Sequence, residues 1–253
     1  MGKLRDQMLV DLQLRGATPR TQKTYLREVS NFAKYFNRSP KELGGGELKE
    51  YMLYLMKERH LSDGTLRFYV AALKFLYRTT LKREWVVEKI KCPKRKRKLP
   101  VVLDISEVES LFSVTTNLKH KAILMITYSS GLRVSETARL KMTDIDSKRM
   151  MVRVRQGKGG NDRYSILSQT ALEHLRQYWR KYHPTEWLFN GAKKNAPLST
   201  NSIQQLFYKA KKRAGITKPA SVHTLRHYAE FQTMPSEHIS SLSMNDLFMI
   251  NSA

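Results

Sequence analysis

The sequence predicts a mainly α-helical protein with a small β-hairpin, made of an all-α N-terminal bundle and a mixed α+β second domain. Three observations predict this. Apolar residues recur at spacings of three and four through residues 1–85, a basic run with a proline interrupts them at residues 89–99, and two alternating segments flank a glycine-rich turn at residues 156–162. With 253 residues, 41% of them apolar, the chain can build two cores, which argues against global disorder.

The N-terminal bundle is predicted to contain about four helices. The first lies around Met8–Leu14, and Thr18 before Pro19 is typical of the start of the second. Its apolar stripe consists of Tyr25, Val29, Phe32 and Phe36. Gly44–Gly46 interrupt the pattern, a third stripe follows, and Ser62 starts a fourth helix. The aromatic residues favour a hydrophobic core, with platforms for stacking nucleobases as the alternative.

Residues 89–99 form the predicted linker, because seven of the ten residues 89–98 are basic and few could pack in a core. The candidate phosphate-contacting residues are Lys94, Arg95, Lys96, Arg97 and Lys98. A solvated tether and a nuclear-localisation signal are alternatives to a tether that contacts phosphates. The predicted domains are therefore 1–88, the linker 89–99, 100–229, and a divergent tail at 230–253.

The second domain is predicted to begin with a helix capped at Ser106. A largely apolar helix then runs from Lys119 to Ser130 and ends at Gly131. The hairpin strands follow at 150–155 and 163–167, and two more helices at 169–182 and 200–214. A short buried strand or turn is expected at 187–189.

Charge indicates a polyanionic partner. Residues 1–229 carry 46 basic and 19 acidic side chains, a net charge of +27, whereas the last 24 residues carry three acidic and no basic ones. Nucleic acid is the simplest partner for a positive charge spread over both domains, with a membrane surface and RNA as alternatives. We expect a soluble, cytoplasmic protein, since no membrane span or signal peptide is visible. The single cysteine, Cys92, excludes an internal disulfide and a cysteine-rich zinc site.

Four basic side chains stand at constrained places. Arg133 follows the glycine that ends an apolar helix, Lys158 lies in the hairpin turn, and His223 and Arg226 are spaced to share a helical face. Each has an ordinary explanation on its own. An arginine after a helix is usually a surface residue, a lysine in a hairpin loop is usually solvated, and a lone histidine is more often structural than catalytic.

Together these motifs resemble the tyrosine recombinase/integrase family, in particular its phage-integrase and Xer-like branch. The sequences Gly131-Leu-Arg-Val-Ser-Glu136 and His223-Thr-Leu-Arg-His227 are similar to that family's two arginine boxes, and Gly157-Lys158-Gly159 to its hairpin. The resemblance covers residues 1–229 and includes the order of a helical core-binding (SAM-like) domain, a basic linker and a catalytic domain.

The resemblance implies metal-free transfer of a DNA phosphodiester to a tyrosine, without a cofactor. Arg133 and Arg226 would hold the non-bridging phosphate oxygens, and Lys158 would protonate the leaving 5′-oxygen. His223 would act as general acid and base, and Glu136 would brace the site. Duplex DNA and a homo-oligomer on paired sites are the implied partners.

The chain departs from the family pattern after Arg226. The family's Leu-Gly-His (or Trp) element and later nucleophilic tyrosine are not visible, and the last tyrosine is Tyr228. The tail could reflect a frameshift or early stop, the nucleophile could come from another protomer, or Tyr228 or His238 could be recruited. The predicted function is a DNA-binding site-specific recombinase with impaired cleavage and weakened assembly. A non-catalytic DNA-binding regulator or truncated remnant is the alternative.

Overall fold

The computed structural model describes residues 2–88, 90, 101–155, 161–193 and 195–226. The chain divides into two compact units, Met1–Lys98 and Leu99–Ala253. Among the helices in these ranges, none is long and apolar enough to cross a membrane.

The first unit is all α. Its helices are α1 (Gly2–Leu14), α2 (Pro19–Phe36), α3 (Gly45–Lys57) and α4 (Asp63–Phe75), followed by a π-helical turn (Leu76–Thr80) and a 3-10 turn (Glu84–Val86). The predicted starts of two helices are confirmed: the hydroxyls of Thr18 and Ser62 accept hydrogen bonds from the backbone N–H groups of Thr21 and Thr65, both at 3.3 Å.

The aromatic stripe of α2 lies on the core of the first unit, as favoured over base stacking. Val29 and Phe32 are buried, and Tyr25 and Phe36 pack against the same cluster. Tyr77 is fully buried, and its hydroxyl lies 3.1 Å from the carbonyl oxygens of both Pro40 and Leu43.

In its described residues, the second unit has five α-helices, a further helical segment at residues 222–226 and one sheet. The helices are α5 (Ile105–Ser113), α6 (Leu118–Ser129), α7 (Val134–Ala138), α8 (Gln169–Tyr182) and α9 (Thr200–Arg213). The antiparallel strands β1 (Ile145–Asp146), β2 (Met151–Val154) and β3 (Arg163–Ile166) lie in that order. The mainly helical fold with a small sheet is therefore confirmed.

The predicted cap of α5 is wrong by two residues. The helix starts after Asp104, not Ser106, because Glu107 reaches back to accept the Asp104 backbone N–H at 2.7 Å. Lys218 also donates to the carboxylates of Asp104 and Glu107, at 2.8 and 2.7 Å. This cluster joins the start of the second unit to the segment before residues 222–226.

Helix α6 forms the centre of the second core and determines where the following residues lie. Ala122, Ile123, Leu124 and Ile126 are all fully buried. Gly131 then adopts a positive φ of 55°, a conformation that favours glycine, and turns the chain into the segment that precedes α7. In the sheet, Met151 pairs with Ile166 and Val154 with Arg163, so the two ends of the hairpin turn are adjacent.

Candidate functional site

Arg133 is fixed by the start of α7. It occupies the N-cap position, and its backbone N–H donates to Oε2 of Glu136 at 2.8 Å. An acidic residue three positions after a cap can make this contact in any helix of suitable geometry. The local sequence Arg-Val-Ser-Glu thus orients both the main chain of Arg133 and the carboxylate of Glu136.

Three arginine side chains lie within 4.0 Å of the Glu136 carboxylate. Arg133 donates from Nη1 to Oε1 at 2.9 Å. Arg163 donates from Nη1 to Oε1 at 2.9 Å and from Nη2 to Oε2 at 2.8 Å. Arg226 Nη1 lies 4.0 Å from Oε2. The two arginines predicted from the motifs are therefore brought to one carboxylate.

Glu136 is held in its charged form. Its side chain is only 5% exposed, and burial by itself would raise the pKa of the carboxyl. Hydrogen bonds from Arg163 and from the backbone and side chain of Arg133 outweigh burial and lower the pKa to about 2. Because three cations surround one anion, this cluster has a net positive charge and can attract a further anion.

The second motif is helical at residues 222–226. Its start is stabilised by Ser221, whose backbone N–H donates to Oγ1 of Thr224 at 3.0 Å. Val222 and Leu225 are buried in the core, whereas His223 is exposed and the Arg226 side chain is 16% exposed. This helical segment thus orients Arg226 toward Glu136 and leaves His223 at the surface.

The base of the hairpin is held by polar contacts. Arg155 donates from Nε to Oδ1 of the buried Asp144 at 2.6 Å, and Arg153 pairs with Asp162 at 2.8 Å. On β3, the hydroxyl of Ser165 donates to the carbonyl oxygen of Ser130 at 2.6 Å. The hairpin is thereby attached to the end of α6, close in sequence to Arg133.

Several predicted residues lie outside the described ranges. They are Lys158, the linker residues Lys94, Arg95, Lys96, Arg97 and Lys98, and also Cys92, Tyr228 and His238. Arg163, by contrast, was missed as a site residue, because its contact with Glu136 spans 27 positions and no local pattern indicates it.

Within the described ranges, no group of three or more His, Cys, Asp or Glu side chains could hold a metal ion. The chemistry available in this cluster is that of guanidinium groups, which bind phosphate or carboxylate oxygens through planar, permanently charged forks.

The two units match models of one family. Residues 101–236 match the Phage integrase family, and residues 4–86 match the Phage integrase N-terminal SAM-like domain.

Curated relatives agree with these matches. A putative integrase/recombinase, y4qK of Sinorhizobium fredii, is 43% identical over 228 residues, which cover 90% of this chain and 74% of the relative. The tyrosine recombinase XerA of Pyrococcus horikoshii is 32% identical over 220 residues, covering 85% of this chain and 74% of the relative.

Solved structures share the fold. A lambda integrase fragment, solved as a dimer bound to a COC′ core site, aligns with a TM-score of 0.76 at 16% identity, over 98% of this chain and 96% of that one. XerH in a pre-cleavage complex with its difH substrate aligns with a TM-score of 0.70 at 20% identity, over 94% and 77%. With both units matched in order and a relative at 43% identity, the chain belongs to the phage integrase family of tyrosine recombinases.

Proposed function

We propose that this protein binds duplex DNA as a site-specific recombinase or integrase and holds one backbone phosphate between Arg133 and Arg226. One observation carries the proposal: both arginines, from separate motifs, converge on Glu136, with nitrogen–oxygen distances of 2.9 and 4.0 Å. Two guanidinium groups held near one point suit the two non-bridging oxygens of a phosphodiester.

The remaining roles follow from the family motifs. Lys158 would give a proton to the 5′-oxygen as the phosphorus–oxygen bond breaks, and His223 would exchange the proton of the attacking hydroxyl. Glu136 braces the arginines rather than reacting, since hydrogen bonds keep its pKa near 2. In this family, a tyrosine oxygen replaces the 5′-oxygen on phosphorus, and the covalent bond conserves the energy needed to rejoin the strands.

For these 253 residues alone we propose DNA binding with cleavage absent or very weak. No tyrosine follows Tyr228 in the sequence, and Tyr228 comes only two residues after Arg226. A nucleophile so close along the chain to a phosphate-binding arginine is poorly suited to attack the same phosphate in line. The same observation favours the second candidate function, a non-catalytic DNA-binding regulator or remnant.

Domain roles, assembly and location are part of the proposal. Residues 1–88 would bind DNA as the core-binding domain, residues 89–99 would contact phosphates as a linker, residues 100–229 would form the catalytic domain, and residues 230–253 a divergent tail. Lambda integrase has been solved as a dimer on a core site and as a tetramer on a Holliday junction. We propose a weaker homo-oligomer here, acting on DNA in the cytoplasm.

The test is to select bound duplexes from a random library and then offer the selected site as a nicked suicide substrate. The expected result is tight, salt-sensitive binding with little or no covalent protein–DNA adduct. An adduct that disappears in Arg133→Ala would instead assign full cleavage to this chain. Binding that is equal at low and high salt would contradict duplex-DNA binding through phosphate contacts, and duplex DNA that fails to compete with RNA would favour an RNA partner.

A further inference from the structure

We infer that Arg163 is a positioning residue, which fixes the Glu136 carboxylate and through it the guanidinium groups of Arg133 and Arg226. The inference rests on the proposed function only in naming a phosphate as the ligand of those two arginines. Arg163 is the first residue of β3, and its role comes from contacts within the protein.

Arg163 determines how the Glu136 carboxylate is turned. Its two terminal nitrogens donate to both carboxylate oxygens, at 2.9 and 2.8 Å. Paired parallel bonds of this kind fix a carboxylate in plane and in rotation, which a single bond does not. Since Oε1 also accepts from the Arg133 side chain and Oε2 from its backbone, the orientation of Arg133 depends on the same carboxylate plane.

Arg163 also sets the charge that Arg133 and Arg226 experience. The Glu136 side chain is 5% exposed, so its negative charge is poorly screened by water. While Arg163 neutralises that charge, Arg133 and Arg226 can attract a phosphate. Without Arg163, the whole negative charge would act on these two residues, draw them onto Glu136 and weaken their hold on an anion.

The position of Arg163 in the sheet makes it suitable for this role. It pairs with Val154 of β2, whose side chain is buried, and Ser165 of the same strand is bonded to Ser130 at the end of α6. The strand is therefore anchored on the same turn from which Arg133 emerges. We expect a rigid strand to keep the Arg163 guanidinium group in the position where it can bond both carboxylate oxygens of Glu136.

The first experiment needs no DNA. In the 253-residue protein with ¹⁵N-labelled arginine, the Nε–Hε resonance of Arg133, assigned with Arg133→Lys, is compared between wild type and Arg163→Gln. The expected result is a shifted and broadened Arg133 resonance, with Arg163→Lys intermediate because lysine keeps the charge but not the fork. Arg149→Gln, which removes a 77% exposed arginine from the same unit, is the control and should leave the resonance unchanged. An unchanged Arg133 resonance in folded Arg163→Gln would overturn the inference, whether or not the protein binds DNA.

The second experiment is a double-mutant cycle on affinity for duplex DNA. Relative to wild type, Arg163→Gln should bind about tenfold more weakly and Arg149→Gln about twofold. In the Glu136→Gln background, the effect of Arg163→Gln should fall to that of the control, because the carboxylate through which it acts is gone. Equal effects in both backgrounds would mean that Arg163 contacts DNA directly, and would overturn the positioning role. If the wild type binds no duplex at all, the proposed function fails, and the Arg133 resonance alone decides this inference.

Discussion

Arg163 and Glu136 form a two-pronged ion pair, with Nη1–Oε1 at 2.9 Å and Nη2–Oε2 at 2.8 Å, between the first residue of β3 and the short helix α7. The ion pair helps to explain how a carboxylate whose side chain is only 5% exposed stays charged.

Replacing Glu136 by glutamine should destabilise the second unit. The amide would present N–H donors to guanidinium donors, so we expect the free energy of unfolding to fall by about 2 kcal/mol, less than for a fully buried pair because Arg133 and Arg163 are about a third exposed. Urea unfolding followed by circular dichroism measures the change. Glu173→Gln is the matched control, because this exposed residue of α8 accepts a side-chain hydrogen bond from Gln169, four residues earlier in the same helix. Equal stability of the two variants would contradict the bracing role of Glu136.

Acid should weaken the fold through the same carboxyl group. The pKa of Glu136 is about 2 in the folded protein, below the value of about 4.3 for an unfolded glutamate. Its contribution is therefore fully present above the unfolded pKa and is lost as the pH falls toward 2. Unfolding free energies measured from pH 6 to pH 2 should fall more steeply for wild type than for Glu136→Gln. Parallel curves would show that the Glu136 pKa is not depressed.

Asp144 should be needed to hold the base of the hairpin. Its buried carboxylate accepts from Nε of Arg155 at 2.6 Å and from the backbone N–H of Lys141 at 2.9 Å. Asp144→Asn loses one acceptor and the charge, so we expect a loss of about 2 kcal/mol in the free energy of unfolding. The control is Asp162→Asn, in an exposed pair with Arg153, which should change stability little. A loss as large in the control would mean that hairpin charge in general, rather than burial of Asp144, matters.

The linker should contribute directly to the salt dependence of DNA binding. Changing Lys94, Arg95, Lys96, Arg97 and Lys98 together to glutamine removes five charges. The slope of log affinity against log salt should become shallower by about 4.5, since each of five phosphate contacts contributes about 0.9. The matched control exchanges each lysine for arginine and each arginine for lysine, which keeps the charge and should keep the slope. An unaltered slope in the glutamine variant would indicate that the linker is a solvated tether.

Local sequence signals predicted most elements, because caps and stripes act over a few residues. The predicted and observed bounds of α8 are the same, 169–182. Ser168 caps this helix, because its hydroxyl accepts a hydrogen bond from the backbone N–H of Ala171. The two-residue strand β1 was missed because Ile145–Asp146 is too short to show alternation. The start of α5 was misjudged although its signal is local: Asp104 and Glu107 have the spacing of a capping box, and Glu107 accepts the Asp104 backbone N–H.

In the candidate site too, local motifs identified some residues and missed another. Arg133, Glu136 and Arg226 could be found from short motifs, but Arg163 could not, since an arginine in an alternating strand is ordinarily a solvent-facing residue. Arg163 reaches Glu136 only because β2 pairs with β3 and because that hairpin packs against the end of α6.

The backbone contact between Arg133 and Glu136 has a practical consequence. Because the carboxylate accepts the N–H of residue 133 itself, the main chain there is oriented by a bond that every amino acid except proline can make. Other side chains can therefore be placed at position 133 while the backbone contact that starts α7 is kept. Non-standard residues introduced there by genetic-code expansion would test one property of the side chain at a time. Homoarginine would test its length, citrulline its charge, and a photo-reactive residue its neighbours.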